Sequence, residues 1–552
     1  MSMNDIESLF SFIGGLGMFI YGMNVMADGL QKAAGNKMKQ LLGYMTNNRI
    51  VGVLVGALVT IIIQSSSATT VMIVGFVNAG LMNLTQAVGV IMGANIGTTV
   101  TAWLVSMSEL GSFFSPEFYA PLFIGIGAFI VLFAKKQKVK DIAGICIGFG
   151  VLFIGLSFMS GAITPYKDLP IFAKAFQTLG SNPIFGILTG TIITGIIQSS
   201  AASVSILQTL ALSGVVTWNS AIYITLGQNI GTCVTALISS AGANKTAKRA
   251  AVIHLLFNVI GAVLFGLVLF TVFTIKPEYG NSAISIVQIS IFHTIFNLTN
   301  TIILLPFADK LVSLSGVIVK EEEEIVKEAE DTRALRHLDE RIFQTPSFAV
   351  ESAVSEVVHM GKVALGNLQF ACEGFVERDG DKLKKVFETE KIINNMESII
   401  TEYLVKISHL SLTEKQHITI NNLFYSVSDI ERVGDHCENI AELGEYQLAN
   451  DIKFSQDAEQ GAEKMMEMVN LAFENALLAR GEESAQYAIK ATEYEDEVDK
   501  LEETLRKLHI ERLSKGLCSP DSGVVYLDLI NNLERISDHA DNLAEYIISE
   551  EQ

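Results

Sequence analysis

Gln64-Ser65-Ser66-Ser67 and Gln198-Ser199-Ser200-Ala201 are two copies of one polar motif, 134 residues apart in otherwise apolar sequence. Each is followed, 31 residues after its Gln, by the Asn of a second motif: Gly93-Ala94-Asn95-Ile96-Gly97-Thr98-Thr99 and Gly227-Gln228-Asn229-Ile230-Gly231-Thr232-Cys233. Polar side chains are costly in lipid unless they line a protein-enclosed or aqueous path. A duplicated polar break therefore predicts a substrate site shared by two related halves.

The composition of the 552-residue chain changes abruptly near residue 310. No charged residue falls between Arg49 and Glu109, or between Lys174 and Lys245. Beyond residue 310 the chain is acidic, and the formal charge of −20 arises there. We predict a membrane domain over residues 1–310, an acidic linker over 311–345 and a helical soluble domain over 346–552. The chain has no basic stripe that would meet phosphates, so nucleic acid is not an expected partner.

Seven apolar stretches are long enough to cross a bilayer as helices. They lie near residues 6–27, 85–108, 119–134, 141–163, 219–240, 248–272 and 282–306. The segments that flank the two Gln-Ser-Ser motifs, 50–63 with 69–82 and 184–197 with 202–215, are too short to span. We predict that each pair is a re-entrant hairpin with the motif at its tip, which requires surrounding protein or a cavity.

The charges of the loops predict how the chain is oriented in the membrane. Basic loops lie at residues 32–49, 135–140 and 245–249, whereas acidic or mixed loops lie at 5–7, 109–117, 167–168 and 276–278. If each hairpin returns to its own side, all basic loops are cytoplasmic. The two repeats, about 8–134 and 141–268, then have inverted topology, and the C-terminal half is cytoplasmic.

The motif side chains suit two kinds of ligand. Amide and hydroxyl oxygens can replace the hydration of a small cation, and hydroxyls can donate hydrogen bonds to an oxyanion. A helix that begins at the tip adds backbone N–H groups, which favours anions. Because neither motif contains Lys or Arg, an anion held there needs bound cations, which predicts coupled binding. The alternative is that these Ser, Thr and Asn residues only join neighbouring helices.

These residues resemble the type II sodium/phosphate cotransporters, which carry a Gln-Ser-Ser-Ser motif in each half. The resemblance covers most of residues 8–306 and implies sodium-coupled phosphate movement. The binding residues that it implies are Gln64, Ser65, Ser66, Ser67, Gln198, Ser199 and Ser200, with Asn95, Thr98, Thr99, Asn229 and Thr232 as neighbours. Ala201 stands where a third serine is expected, so the two hairpins cannot contribute equally.

Two later segments repeat a His and an Asn at positions i and i+4. They are His254-Leu255-Leu256-Phe257-Asn258 and His293-Thr294-Ile295-Phe296-Asn297, and they are also similar to the later helices of that family. The spacing places each His and Asn on one helix face. Such a pair could relay a proton or sodium, but hydrogen bonding between helices is the favoured interpretation.

The soluble half contains a second duplication. The run from Asp429 to Asn439 matches the run from Asn532 to Asn542, and the run from Glu390 to Glu397 matches that from Glu495 to Glu502. Two related helical bundles in tandem follow from this. Glu431 and Asp435, like Glu534 and Asp538, share a helix face at i and i+4, and such pairs can bind a metal through oxygen, with His436 or His539 nearby. The alternative is an exposed charged face paired with Arg432 and Arg535.

These C-terminal motifs resemble the PhoU family of phosphate-uptake regulators over about residues 346–548. The resemblance implies two three-helix bundles and clustered sites for a divalent or iron-type metal. Asn394 replaces an acidic residue that the family often has, whereas its counterpart Asp499 keeps one, so the first site should bind metal more weakly.

The fold class predicted from the sequence is all-α: a polytopic membrane domain with inverted repeats and re-entrant hairpins, followed by a cytoplasmic helical-bundle domain. The predicted function is transport of inorganic phosphate with sodium across the cytoplasmic membrane, regulated by the PhoU-like part and without enzymatic activity. Phosphate export, a membrane-anchored phosphate or metal sensor, and proton in place of sodium coupling stay open, as does assembly into a homo-oligomer.

Overall fold

The computed structural model describes residues 3–34, 48–109, 115–166, 182–320 and 338–551, together with residues 174, 178 and 179. Within these ranges every secondary-structure element is a helix, and one isolated bridge joins Thr217 and Ala283. The chain divides into two compact units. The membrane unit comprises Met1–Glu324 and Asp339–Ser347, and the soluble unit comprises Ile325–Leu338 and Phe348–Gln552. The predicted all-α class is confirmed.

Seven helical segments of the described chain are long and apolar enough to span a bilayer, as predicted. They are Asp5–Ala33, Leu84–Glu109, Pro116–Phe133, Gln137–Tyr166, Trp218–Ser239, Lys245–Ile275 and Ile286–Ile318. Four shorter apolar helices, Arg49–Ile63, Ser66–Asn78, Pro183–Ile197 and Ser200–Leu212, flank the two Gln-Ser-Ser motifs.

The membrane unit contains fourteen described α-helices. In chain order they are α1 Met3–Ala34, α2 Arg49–Ile63, α3 Ser66–Asn78, α4 Leu84–Ser106, α5 Pro116–Phe133, α6 Gln137–Ile163, α7 Pro183–Ile197, α8 Ser200–Leu212, α9 Trp218–Gly231, α10 Cys233–Ser239, α11 Lys245–Ile275, α12 Pro277–Gly280, α13 Ile286–Leu304 and α14 Ala308–Ile318. The span Trp218–Ser239 is therefore two helices, α9 and α10, that meet at Thr232.

The two short helix pairs, α2–α3 and α7–α8, have the same local structure. The first helix of each has 15 residues and the second has 13, so the longer one extends only about 22 Å, less than the roughly 30 Å hydrocarbon layer. The turns are Gln64 and Gln198, both left-handed with φ of 55°. Ser65 and Ser199 then cap the second helices. We call the pairs hairpin one and hairpin two.

Glycine lets the first helix of each hairpin touch the backbone of the span that follows it. A Cβ atom on Gly93 in α4 would lie 2.0 Å from the Val53 carbonyl oxygen in α2. The corresponding Cβ on Gly227 in α9 would lie 1.9 Å from the Ile187 carbonyl oxygen in α7. Any larger residue would force these helices apart, so the two glycines fix how closely each hairpin approaches its partner span.

At one end of the membrane unit, hydrogen bonds and an ion pair join the helix ends that lie next to the basic loops. Arg49 pairs with Asp309, and Asn78 at the end of hairpin one accepts a hydrogen bond from the Asn244 backbone N–H at 2.8 Å. Arg341 donates to the Ser239 carbonyl at 2.8 Å. Hairpin one therefore begins and ends at this basic end. Of the loop charges used in the prediction, Lys37, Lys39, Lys167 and Asp168 lie outside the described residues.

A different set of helix ends meets around hairpin two. Glu109 at the end of α4 accepts a hydrogen bond from the Val287 backbone N–H at 3.2 Å. The Trp218 N–H donates to the Ser282 carbonyl at 3.1 Å, and Leu207 and Ala211 of α8 lie in one apolar cluster with residues of α9 and α13. Hairpin two therefore returns to the end of the unit where Glu109 lies.

The soluble unit contains six long helices in two groups of three. They are α15 Pro346–Glu377, α16 Gly380–Ser408, α17 Glu414–Ala449, α18 Gln456–Glu482, α19 Ala485–Ser514 and α20 Pro520–Glu551. The longer duplicated motif, 429–439 and 532–542, falls on α17 and α20, which are the third helices of the two groups and pack against each other. The shorter one, 390–397 and 495–502, falls on α16 and α19. These two groups are the predicted pair of three-helix bundles.

The predicted linker 311–345 contains two ordered parts. Its first residues continue α14 to Ile318, and its last residues form a 3₁₀ turn, Glu340–Gln344, that packs on the membrane unit. The acidic run from Glu321 to Glu324, predicted to be a solvated helix face, lies outside the described residues.

Candidate functional site

The tips of the two hairpins meet at a cavity of about 270 Å³. Ser66 Oγ lies 3.4 Å from Ser200 Oγ, and Ser67 Oγ donates to the Gln198 carbonyl oxygen at 3.5 Å. Eight of the predicted binding residues line the cavity: Gln64, Ser65, Ser66, Ser67, Thr98, Gln198, Ser199 and Ser200. Since a water molecule occupies about 30 Å³, the cavity has room for about nine waters or for a small oxyanion with cations.

Each tip is the start of a helix, and this brings two helix N-termini together. Ser65 Oγ accepts a hydrogen bond from the Ala68 N–H, and Ser199 Oγ accepts one from the Ala202 N–H. Other amides of the first turn have no partner within a helix, and the helix dipole is positive there. The left-handed turn at each Gln allows the second helix of the hairpin to begin at the tip, because it reverses the chain within one residue.

Hairpin one is held at its tip by a side chain that the sequence did not indicate. Thr101 Oγ1 in α4 donates to Gln64 Oε1 at 3.1 Å, and Gln64 Nε2 donates to the Ile61 carbonyl. Gln64 is buried, whereas its counterpart Gln198 is exposed. Thr101 lies three residues beyond Thr98 on the same helix. Extending the list of candidate residues by one helical turn would have included it.

The cavity also shows the asymmetry predicted from Ala201. This residue lines the cavity with a methyl group, opposite hydroxyls contributed by hairpin one. Two further lining residues, Asn24 in α1 and Thr60 in α2, were also missed by sequence reasoning because they lie outside the repeated motifs. Thr60 Oγ1 donates to Thr69 Oγ1 at 3.0 Å and so braces the two arms of hairpin one.

Four predicted neighbours, Asn95, Thr99, Asn229 and Thr232, are buried but do not line this cavity. Thr99 and Thr232 donate to backbone carbonyls of their own helices. Asn95 Oδ1 accepts a hydrogen bond from Asn258 Nδ2 in α11 at 3.3 Å.

Asn229 joins the other His-Asn pair in the same way. Its Oδ1 accepts from Asn297 Nδ2 and lies 3.3 Å from His293 Nε2, both in α13. Asn258, Asn297 and His293 thus make hydrogen bonds between helices, as the favoured interpretation of the sequence predicts. Neither ring nitrogen of the buried His254 has a hydrogen-bond partner among the described residues.

No Lys, Arg, Asp or Glu side chain is among the described residues that line the cavity. An oxyanion there would be held by hydroxyls and by backbone N–H groups at two helix N-termini. Its charge would still lack a counter-charge among the side chains that line the cavity, and this is unfavourable inside a membrane domain. Cations bound by the amide and hydroxyl oxygens would supply that charge, so the geometry suits an anion and cations together.

Each bundle of the soluble unit holds a carboxylate cluster that is a candidate metal site. In the second bundle, oxygens of Glu495, Asp499 and Asp538 lie within 4.8 Å of one another. Burial, Asp499 and further acidic neighbours raise the pKa of Glu495 to about 7. Burial and Asp538 also raise the pKa of Asp499. Carboxylate oxygens at this spacing fit a hard divalent or iron-type cation, which would relieve the mutual repulsion.

The first bundle holds the corresponding cluster of Glu390, Asp435 and Glu438, again within 4.8 Å. Burial, Glu438 and Asp435 raise the pKa of Glu390, while a hydrogen bond from Asn394 lowers it. Asn394 thus stands beside this cluster at the position that corresponds to Asp499, as the sequence indicated.

Of the four predicted metal ligands, Asp435 and Asp538 belong to these clusters. Glu431 and Glu534 lie beside them, and their pKa values are raised by burial and then by Asp435 and Asp538 respectively. Of the other cluster members, the sequence singled out only Asp499, as the counterpart of Asn394. It missed Glu438, on α17 itself, and also Glu390 and Glu495, which come from the neighbouring helices α16 and α19. The earlier match between residues 390–397 and 495–502 was the signal that could have found the latter two.

The two motif histidines make hydrogen bonds between the two bundles. His436 Nδ1 lies 2.9 Å from Asn532 Oδ1, and His539 Nδ1 lies 2.8 Å from Asp429 Oδ1, so each bonds across to the other bundle. Their rings are 5.7 Å apart. They therefore join α17 to α20 and are not part of either carboxylate cluster.

Apolar spans, paired polar hairpins and a tandem helical bundle together define a multi-pass membrane transport protein with a PhoU-type domain. The Na+/Pi-cotransporter family model matches residues 18–161 and 170–294, and the PhoU domain model matches residues 357–444 and 462–547. The chain belongs to the Na+/Pi-cotransporter family and carries a C-terminal PhoU domain. This family comprises transporters and not enzymes.

Three curated relatives agree with this architecture. The chain is 23% identical to the Escherichia coli protein named "Putative inorganic phosphate export protein YjbB", over 96% of this chain and 95% of that one. It is 27% identical to the phosphate-specific transport system accessory protein PhoU homolog 1 of Thermotoga maritima, over 37% of this chain and 87% of that one. It is 36% identical to the rat sodium-dependent phosphate transport protein 2A over 18% of this chain and 16% of that one.

Proposed function

We propose that this chain is a sodium-coupled transporter of inorganic phosphate in the cytoplasmic membrane. The cavity between the hairpin tips binds phosphate together with sodium. The observation that carries the proposal is that two helix N-termini and at least four side-chain hydroxyls meet at a cavity whose described lining has no charged side chain. Phosphate binding there depends on cations, and the binding energy of each ligand therefore increases with the other.

The two repeats have inverted topology in this proposal. Hairpin one returns to the basic end, where Arg49 and Asn244 lie, and hairpin two returns to the end where Glu109 lies. Basic loops favour the cytoplasmic side, so the basic end and the PhoU-like domain are cytoplasmic. Tips that enter from opposite faces and meet in the middle are suited to alternating access around one central site.

Labelled phosphate uptake into proteoliposomes of the purified full-length protein tests the central claim. An inward sodium gradient should drive uptake above that seen with potassium, and equal fluxes with sodium, potassium and a proton gradient would contradict sodium coupling. Ser66→Ala and Ser200→Ala should each weaken apparent affinity for phosphate or sodium. Thr271→Val, on an exposed face of α11, is the matched loss of a hydroxyl and should leave both unchanged.

Net export is the second candidate, because the relative of similar length is named for phosphate export. A sodium-coupled site runs in either direction according to the gradients, so efflux from phosphate-loaded vesicles shows only that export is possible. Whether cells that express the protein gain or lose phosphate under their own sodium gradient decides between the two net directions. A sensor without transport is the third candidate and predicts binding of phosphate but no flux in either arrangement.

The PhoU-like domain adds a metal-dependent regulatory part in this proposal. The carboxylate clusters of the two bundles bind divalent or iron-type metal, and the second cluster binds more tightly. Metal analysis of the purified protein before and after chelation, with Asp499→Asn and Asp435→Asn compared, measures the two sites separately.

A further inference from the structure

The 3₁₀ turn that precedes the soluble unit is packed against hairpin one. We call residues Asp339–Gln344 the connector turn. Its Ile342 is fully buried. A Cβ atom on Gly75 in α3 would lie 3.2 Å from Ile342 Cγ1 and 3.4 Å from Arg341 Cβ, so this glycine provides the surface on which the turn rests.

Polar contacts fasten the same turn at two points. Asn78 Nδ2, at the end of α3, donates to Asp339 Oδ2 at 2.8 Å, and Asp339 also pairs with Arg341 Nη1 at 2.7 Å. Arg341 Nε donates to the Ser239 carbonyl oxygen at the end of α10. The turn thus bridges α3, which belongs to hairpin one, and α10, which follows the second motif of the other half.

The connector turn contacts the end of α3 that lies opposite the hairpin tip, so it can restrain the tip through this helix. Asn78 and Ser66 are the two ends of α3, which is about 18 Å long. A helix of this length moves as a rigid element, so a contact that holds Asn78 also restrains the tip at Ser66. The connector turn ends two residues before Pro346, the first residue of α15, so a movement of that helix would act on the turn along the chain.

We propose that the connector turn is a latch that holds hairpin one against the second half of the transporter and slows transport. The inference rests on the proposed transport function. Alternating access requires the two halves to move relative to each other. Contacts that bridge them at the basic end oppose this movement while they are intact, and transport speeds up when they are released.

The first test releases the latch in two independent ways. Arg341→Ala removes both the ion pair and the bond to Ser239, whereas Gly75→Leu displaces the turn and leaves its own residues intact. Each variant should raise the maximal rate of phosphate flux at least about threefold and leave the apparent phosphate affinity unchanged. Lys310→Ala removes a cation from the neighbouring helix α14, away from the turn, and should not change the rate.

The second test closes the latch with a disulfide bond. The distance of 3.4 Å between Cβ atoms at positions 75 and 341 is near the usual disulfide value of about 3.8 Å, so Gly75→Cys with Arg341→Cys should cross-link on oxidation. Flux should fall at least about tenfold in the oxidised protein and recover with dithiothreitol. Each single cysteine variant, treated in the same way, controls for the native cysteines.

The latch is overturned if oxidised and reduced forms transport equally, or if release leaves the rate unchanged or lowers it at normal protein levels in the membrane. Hydrogen exchange of the α3 amides separates this result from failure of the proposed function. If the wild-type protein moves no phosphate, faster α3 exchange in Arg341→Ala and slower exchange in the oxidised double variant show that the turn restrains hairpin one, while its effect on transport fails together with the proposed function. Equal exchange in all forms removes the latch.

Discussion

Glu495→Gln should stabilise the metal-free soluble domain at alkaline pH and weaken its metal binding, two effects of opposite sign. Three carboxylates of the second cluster lie within 4.8 Å, and about 1 kcal/mol of repulsion acts between two charges near this distance even in water. The rise in the pKa of Glu495 from 4.5 to about 7 corresponds to about 3 kcal/mol in full. Because the side chain is only half-buried, solvent screening reduces the expected gain to about 1 kcal/mol.

The sign of the pH dependence follows from the direction of the shift. A carboxyl with a raised folded-state pKa is favoured by folding in its protonated form, so its contribution to stability is complete below about pH 4.5 and is lost as the pH rises through about 7. The glutamine variant cannot ionise. It should therefore exceed the wild type in stability at pH 8, whereas at pH 5 the difference should largely disappear.

The assay must report on the soluble half alone. Both tryptophans, Trp103 and Trp218, lie in the membrane half, so their fluorescence does not follow this domain. Hydrogen exchange can instead be measured for the amides of α19 and α20 alone, in the full-length, chelator-treated protein. A gain of about 1 kcal/mol slows exchange about fivefold relative to the wild type at the same pH.

Two controls make the result decisive. Glu503→Gln removes one charge from an exposed position on the same helix and should have little effect. Saturating Mn²⁺ at about 100 times its Kd should slow exchange of the wild type by the equivalent of about 2.7 kcal/mol, and of Glu495→Gln by clearly less. An equal gain at pH 5 and pH 8, or an equal gain in Glu503→Gln, would refute the electrostatic explanation.

Two further predictions concern the membrane unit. Thr101→Val removes the hydrogen bond to Gln64 Oε1, worth about 0.5–1.5 kcal/mol, so apparent affinity in the uptake assay should fall about two- to tenfold at unchanged protein level. Unaltered affinity would show that this bond does not position the tip. Gly93→Ala places a methyl group against the Val53 carbonyl and should cost at least about 1–3 kcal/mol, measured as lower thermal stability in detergent. Gly17→Ala, where a Cβ meets nothing within 4 Å, is its matched control, and equal losses in the two would contradict the packing argument.

The sequence was sufficient to predict the membrane half because its two signals are strong and repeated. Apolar runs of about 20 residues define the spans, and the short runs on either side of Gln64 and Gln198 define hairpins because they cannot cross a bilayer. The equal spacing within the two copies indicated that the two hairpin tips are equivalent positions. Thr101 was missed because it lies outside the duplicated stretch, and its importance depends on how α4 packs beside hairpin one.

In the soluble half the sequence identified the correct helices but only part of each metal cluster. Spacing at i and i+4 shows which side chains share a face of one helix. It does not show which neighbouring helix approaches that face, and therefore Glu390 and Glu495 were not assigned as ligands. The connector turn shows the same limitation, because a short stretch within an acidic linker gives no indication that Ile342 is buried against Gly75.

The two copies of the motif have the same backbone but different surroundings, and this difference bears on how the transporter works. Gln64 is buried and bonded to Thr101, whereas Gln198 is exposed in the cavity, and the methyl group of Ala201 replaces a hydroxyl. Hairpin one is therefore held both at its tip and, through Asn78, at its cytoplasmic end in the proposed topology. The two motifs have the same backbone fold, but Gln64 is more restrained than Gln198. Ligand binding should therefore reduce the conformational freedom of Gln198 more than that of Gln64. If the connector turn acts as the proposed latch, hairpin two is the more adaptable part of the site and hairpin one is the part on which the latch acts.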